Sequence, residues 1–448
     1  LFGKALLRRV LEGVAALKPR RAFVVVGHGR ERVEAALADW AADFDFPLLP
    51  VVQDPPRGTG DAVRQVALAG HAVSDRVLIL SGDVPLLGAD TLADLLDTAT
   101  LKGADLAVLA ATLPNPFGYG RILCDAEGAP TAIVEEKDAT PAQRAIPLVN
   151  AGVYVARWAA LEPLLRRLSP EGNAQGEYYL TDCVHLAAGS GLRLALSHLA
   201  DPLDMTGVNA RADLALCHRL LNERTLRRLM AGGVSVVCPE QSWVAPEVRI
   251  GADTVLHPGC VLEGDVAVGE GCDIGPHTVM RGRVRVGRGS TVQQSLVCNS
   301  EVGEESVVGP FAHMRDGARI DRHVKVGNFV ELKNASVASE SFVSHLAYVG
   351  DAELGSDVNV GAGAITANYN HLTKAKHRTV VEDGAAIGSN CVLVAPVTVG
   401  RNAVVAAGSV ITKPVAPYEL AVARARQSGI AGWVTKQLEK LRGTAPTP

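Results

Sequence analysis

From Ile250 to Ile411 an aliphatic residue recurs every six positions, a period that neither a helix nor an ordinary strand can use. Counting forward gives Ile250, Leu256, Leu262, Val268, Ile274, Met280, Val286 and Val292. After a four-residue slip it gives Val302, Val308, Met314, Ile320, Val326, Leu332 and Ala338, then Leu354 and Val360, and finally Ile387, Leu393, Val399, Val405 and Ile411. A six-residue unit with one inward aliphatic, often followed by Gly as at Gly251, Gly269, Gly327 and Gly388, reads as a short strand and a tight turn wound repeatedly about an axis. The slot four places further on is small or β-branched, as at Thr254, Cys260, Cys272, Ser290 and Cys391. Those three cysteines are therefore expected to be small buried hydrophobes, without metal or redox roles.

At 448 residues the chain is long enough for two or more domains. Lys and Arg number 44 against 48 for Asp and Glu, a net charge of -4 that offers no field for gripping nucleic acid or an anionic membrane. The eight cysteines show no C-x-x-C pair, so a reduced cytoplasmic protein without disulfides is expected. The apolar runs 22–26 and 77–80 are far shorter than the ~20 residues a membrane helix needs.

Residues 1–208 alternate helical and strand-like stretches, the pattern of an α/β domain on a parallel sheet. An amphipathic helix is expected over 1–17, and buried strands over 22–26, 48–52, 77–81, 106–110 and 152–156. Residues 209–233 read as a linker helix, 234–426 as the coil, and 427–448 as a terminal helix with a disordered tail from 443 to 448. The six-residue register breaks near Cys298 and again between Asn368 and Thr379, where loops are expected to leave the coil. Asp83 follows a buried strand, where open sheets bind ligands. A carboxylate there suits Mg²⁺ held with nucleotide phosphates, and equally suits a helix cap. Gln53 and the Arg57-Gly58-Thr59-Gly60 loop end an earlier strand, where backbone N–H groups can clasp a base or phosphate.

Arg315 and Lys333 each follow an inward residue and lie eighteen positions apart, so three units per turn would stack the two cations on adjacent turns. An anion between them, such as a sugar phosphate, would turn their repulsion into attraction; two solvated surface cations are the plainer alternative. His345 is placed in the same outward slot, as a surface histidine or as a base, since an imidazole ordinarily titrates near ~6.5. The spacing of His257, His277, His313 and His323 does not suit a shared zinc ion.

Six further blocks follow one another along the chain: Ser81-Gly82-Asp83-Val84-Pro85, Gly118-Tyr119-Gly120-Arg121, Ile133 to Asp138, Asn150-Ala151-Gly152, Asn173 to Tyr179 and Gly207-Val208-Asn209. In this order they resemble the bifunctional N-acetylglucosamine-1-phosphate uridylyltransferase/glucosamine-1-phosphate acetyltransferase family, over nearly the whole chain. The resemblance implies a Rossmann-like nucleotidyltransferase domain followed by a left-handed parallel β-helix of hexapeptide repeats, assembled as a homotrimer. It implies that Asp83 and Asn209 hold Mg²⁺, that Gln53, Gly58, Thr59, Ser81 and Gly82 line UTP, and that Gly120, Glu135 and Asn150 hold the sugar. On the coil it implies His345 as base with Glu331 as its orienting carboxylate, and Arg315, Lys333, Tyr348 and Asn359 as the glucosamine 1-phosphate site. Ala362, Asn368, Tyr369, Ser389, Ala407 and Arg424 would lie along acetyl-CoA. The sequence departs from the family where Ser81 replaces a usual Tyr and Asp61 a usual His. The family's opening Leu-Ala-Ala-Gly-x-Gly-Thr-Arg-Met motif is not in the chain, so uridylyl transfer is expected to be lost or severely impaired. Two alternatives stay open from the residues themselves: a nucleotidyltransferase whose coil only oligomerises, and a non-enzymatic scaffold.

Overall fold

The computed structural model describes residues 1–70 and 72–443; the tail expected over 443–448 lies, from 444 on, outside the described residues. The chain forms two compact units, one running from Gly3 to Leu221 and the other from Asn222 onward. The division falls within the helix Arg211–Ala231. The first helix spans Leu6–Ala15, shorter than expected at both ends, and buries Val10, Leu11 and Val14.

In the first unit the expected strands form, but the sheet is mixed, not parallel. Leu148–Arg157 runs antiparallel to both Leu106–Thr112 and Arg76–Ile79, and Arg121–Cys124 makes an antiparallel hairpin with Pro130–Val134. Only Leu194–His198 pairs in parallel with Leu106–Thr112. The tight Arg121–Val134 hairpin and the short Pro141–Arg144 helix lie between Leu106–Thr112 and Leu148–Arg157, so the chain returns without the long crossover a parallel pair needs. Ala22–Val26 and Leu48–Val52 form a separate two-stranded parallel sheet. The first six residues of Leu106–Thr112 are buried because the mixed sheet is covered on both faces. Leu92, Leu95, Leu109 and Val153 fill one side, and Val108, Ile122, Leu161, Leu165 and Val184 the other.

The second unit is a coil of the kind the six-residue period calls for, the left-handed parallel β-helix the resemblance implied. Its three walls are parallel sheets of ten, nine and eleven short strands, and each strand pairs with the one three strands later except at the end, where Val404–Val405 pairs with Leu420–Ala421, two strands later. Leu256, Leu262, Ile274, Met280, Val308, Met314, Val326 and Leu332 are fully buried along the axis. At about 1.5–3 kcal/mol per buried aliphatic, this continuous file stabilises a structure that has almost no long helices. Cys260, Cys272 and Cys391 occupy the buried small slot as expected, and burial pushes the Cys260 thiol up to about 11.

Two features of the register differ from a strict count of six. Near Cys298 no loop leaves the coil; the turn itself shortens, so that Val279 pairs with Leu296 and Arg285 with Glu301. A second shortening makes Arg319 pair with Ser336 and Glu331 with Tyr348. Val337 is therefore the inward residue and Ala338 is not, and Val343, not Ser344, precedes His345 as the buried position. Between Asn368 and Thr379 the chain does leave the coil, rejoining it at Thr379–Val381. The terminal helix covers Trp433–Gly443, beginning six residues later than expected.

Candidate functional site

In the coil, Arg315 and Lys333 are direct register partners on the ten-stranded wall. Both side chains point outward, because Met314 and Leu332 beside them are buried. Arg315 is held by Glu331 (Nη2–Oε1 2.6 Å) and Asp316 (Nη1–Oδ2 2.8 Å), and the Glu331 contact raises its pKa further. Lys333 lies 3.9 Å from Asp316. Its pKa is lowered, first by the neighbouring Lys376 ammonium, then by burial and by Arg315. Three cations thus face the two carboxylates of Asp316 and Glu331 here. Lys376 comes from the excursion between Asn368 and Thr379, and period counting alone had no means of placing it. Tyr348 continues the column above Glu331, and its ring lies across Gly350, where any Cβ would strike the phenol. Glycine at 350 is therefore what lets the tyrosine lie next to Lys333.

His345 and Asn359 belong to the eleven-stranded wall, around the corner from that column. His345 is exposed, and its Nδ1 is 2.7 Å from Oδ1 of its register partner Asn328. An amide oxygen only accepts, so Nδ1 is the ring nitrogen that donates here, and Nε2 is left out of this contact. The orienting contact expected from Glu331 is thus made by Asn328, since Glu331 is engaged with Arg315. Above His345 the corner is built of small residues in register. His345 O accepts from Gly363 N, Ala362 O from Asn390 N, and Ser389 O from Gly408 N. A Cβ at Gly361 would come within 2.6 Å of Ser389 N, so the corner stays narrow and smooth. Ala362, Ser389 and Ala407 line this column, and Arg424 closes it beside Gly408. Asn368 is not on it: the side chain is buried and its amide is tied to Asp351, while Tyr369 stands exposed on the excursion against His371.

In the first unit, Asp83 Oδ2 and Asn209 Nδ2 both lie 3.8 Å from the position a Cβ on Gly207 would occupy. The two side chains therefore converge, and Val208 N donating to Asp83 O at 2.9 Å fixes the approach. Ser81 and Gly82 are exposed in the same loop. Glu135 is mostly buried; burial raises its pKa, offset by the Thr181 hydroxyl that donates to it at 3.0 Å, while Asp138 and Asp182 push it up further. Asn150 is fixed by Gly152 N and by Tyr154 Oη at 2.7 Å, and its backbone N–H donates to Gly120 O. Gly120 is required because a Cβ would meet Ile133 at 2.9 Å and Glu135 at 3.3 Å. Gly58 has φ +107, and a Cβ there would sit 2.7 Å from Tyr178 O. Gly58→Ala should cost about 2–3 kcal/mol from backbone strain alone. A melting curve should show it as a drop of roughly 4–12 °C in the first unit's transition.

Residues 1–168 match the family model of the MobA-like NTP transferase domain. Residues 247–282 match the bacterial transferase hexapeptide (six repeats), and 378–413 the hexapeptide repeat of succinyl-transferase. Among curated relatives, the bifunctional protein GlmU of Synechococcus sp. (strain CC9311) is 41% identical over 434 residues, covering 97% of this chain and 92% of that one. GlmU of Geobacter metallireducens is 41% identical over 457 residues, covering 98% and 94%, and that of Bordetella parapertussis 43% over 436 residues, covering 97% and 93%. The chain belongs to the GlmU family. Its GlmU-like halves correspond to the two arrangements just described: a charged column with an outward imidazole on the coil, and a carboxylate–amide pair at the end of a sheet. Asn328 and Lys376 are residues at the coil site that reading the sequence had not assigned. Neither carries a local signal, since Asn328 reaches His345 through pairing between turns and Lys376 reaches Lys333 from a loop.

Proposed function

We propose that this GlmU-family enzyme transfers the acetyl group of acetyl-CoA to glucosamine 1-phosphate on its coil, and the uridylyl group of UTP to N-acetylglucosamine 1-phosphate on its first unit. The observation that carries the reading is the register pairing of Arg315 with Lys333, which concentrates cations where a phosphate is needed. The substrate amine attacks the thioester carbonyl, its proton passes to His345 Nε2, and the coenzyme A thiolate leaves and is reprotonated. Asn359, on the eleven-stranded wall, and Tyr348, on the ten-stranded wall, hold the amino sugar in this reading. The small side chains of Ala362, Ser389 and Ala407 leave room for the pantetheine arm to lie along this column towards Arg424, and Tyr369 of the excursion serves the same ligand. Asn368, buried against Asp351, supports that excursion.

In the first unit Gln53, Gly58 and Thr59 hold the uridine, and Gly120, Glu135 and Asn150 hold the sugar. Asp83 and Asn209 offer oxygen donors of the kind Mg²⁺ prefers alongside nucleotide phosphates. Mg²⁺ held there would supply charge neutralisation to the phosphates. The sugar-phosphate oxygen attacks the α-phosphorus and pyrophosphate leaves. The chain works as a homotrimer and in the cytoplasm; all eight cysteines are free, and no described helix is long and apolar enough to cross a membrane. The decisive experiment follows release of coenzyme A thiol with glucosamine 1-phosphate as acceptor. Thiol release that depends on the acceptor supports the reading; none would leave the coil as an oligomerisation device.

A further inference from the structure

We propose that Asp61 is a positioning residue that locks the amide of Gln53 and thereby makes the first unit selective for uracil over cytosine. The proposal rests on the uridine-site reading given above. Gln53 is 8% exposed at the end of Leu48–Val52, and its Nε2 donates to Gly58 O at 3.0 Å and to Asp61 Oδ2 at 2.9 Å. A carbonyl and a carboxylate only accept, so the amide atom facing them has to be nitrogen. Both amide protons are consumed, and among the described residues Oε1 takes no donor.

Asp61 in turn cannot swing away. It is 2% exposed, and its other oxygen accepts from Arg64 Nη2 at 2.5 Å and Gln65 Nε2 at 3.2 Å. Arg64 is itself held over the Tyr178 ring, 4.4 Å from its centroid. The network therefore presents one fixed group to a base at this position, a bare acceptor. Uracil meets it with its N3–H donor. Cytosine has an unprotonated N3 at the same place and would set lone pair against lone pair, leaving polar groups unpaired on closure.

The test is calorimetric titration of UDP and of CDP into the full chain. The unmutated protein should bind UDP at least about tenfold more tightly than CDP, the discrimination expected from about 1.4 kcal/mol of hydrogen-bond mismatch. In Asp61→Asn the side-chain oxygen stays with Arg64 and Gln65 and the new NH2 turns towards Gln53. No orientation of the Gln53 amide then satisfies both that NH2 and Gly58 O, and the UDP preference should fall to within about twofold. Gln53→Met, which keeps the length and removes the amide, should lose the preference likewise and decides the matter if Asp61→Asn does not fold by circular dichroism. An undiminished preference in a folded Asp61→Asn, or in Gln53→Met, overturns the proposal. If the unmutated chain binds no UDP, the uridine-site reading falls and the proposal falls with it.

Discussion

Replacing His345 by alanine should lower kcat for acetyl transfer by roughly 10²–10⁴-fold, the range over which a positioned general base normally contributes. The side chain is exposed and its ring is hydrogen-bonded to Asn328 at the surface, so the coil should melt where the unmutated coil does. KM for glucosamine 1-phosphate should change little, because the proposed phosphate site, Arg315 and Lys333, is on a different wall. The loss should also be specific to acetyl transfer and leave nucleotide binding by the first unit untouched. Steady-state kinetics with a thiol reagent checks all of this, and a His345→Ala protein with unchanged kcat would remove the imidazole from the chemistry. Asn328→Ala should give a smaller fall in kcat, since the base remains but its tautomer and direction are no longer fixed.

Lys333→Ala should act in the opposite sense, on binding. A charge-assisted hydrogen bond is worth about 1.5–3 kcal/mol, so KM for glucosamine 1-phosphate should rise about 10- to 150-fold. The unmutated column holds the three cations Arg315, Lys333 and Lys376 against the two carboxylates of Asp316 and Glu331, so one positive charge is in excess. A phosphate relieves that repulsion, and removing Lys333 removes part of what it relieves. The effect should shrink as salt rises, because the site is open to solvent and screening is then efficient. Lys333→Arg should recover part of the affinity, keeping the charge but changing its shape. An unchanged KM in Lys333→Ala would mean that the two cations are no more than a solvated pair.

Much of the coil site was legible because the signal is local and repeated. Arg315 and Lys333 sit in an unbroken run of six-residue units, so arithmetic put one above the other once three units were taken to make a turn, as the family resemblance implied. His345 lies past a shortened turn, so counting gave it the outward face, which it has, but the wrong phase. The same shortening brings Asn328 opposite His345, and Glu331 is left to Arg315. Lys376 was invisible because the excursion that carries it has no period. In the first unit five strands announced themselves as apolar runs, but apolar runs carry no direction, and the shorter strands Arg121–Cys124, Pro130–Val134 and Leu194–His198 went unread. The antiparallel course of Leu148–Arg157 depends on a hairpin whose turn is an ordinary surface segment.

By itself the order of residues determined the winding: an inward aliphatic at every sixth place can be buried only by stacking turns, so the coil and the pairing of its two cations were settled locally. Only the tertiary structure decided which wall carries the imidazole, which amide orients it, and how Asp61 holds Gln53. The first two depend on the length of each turn; the third depends on how the loop before Thr59–Leu68 folds back, bringing Asp61 to Gln53, and neither is written in the six-residue period.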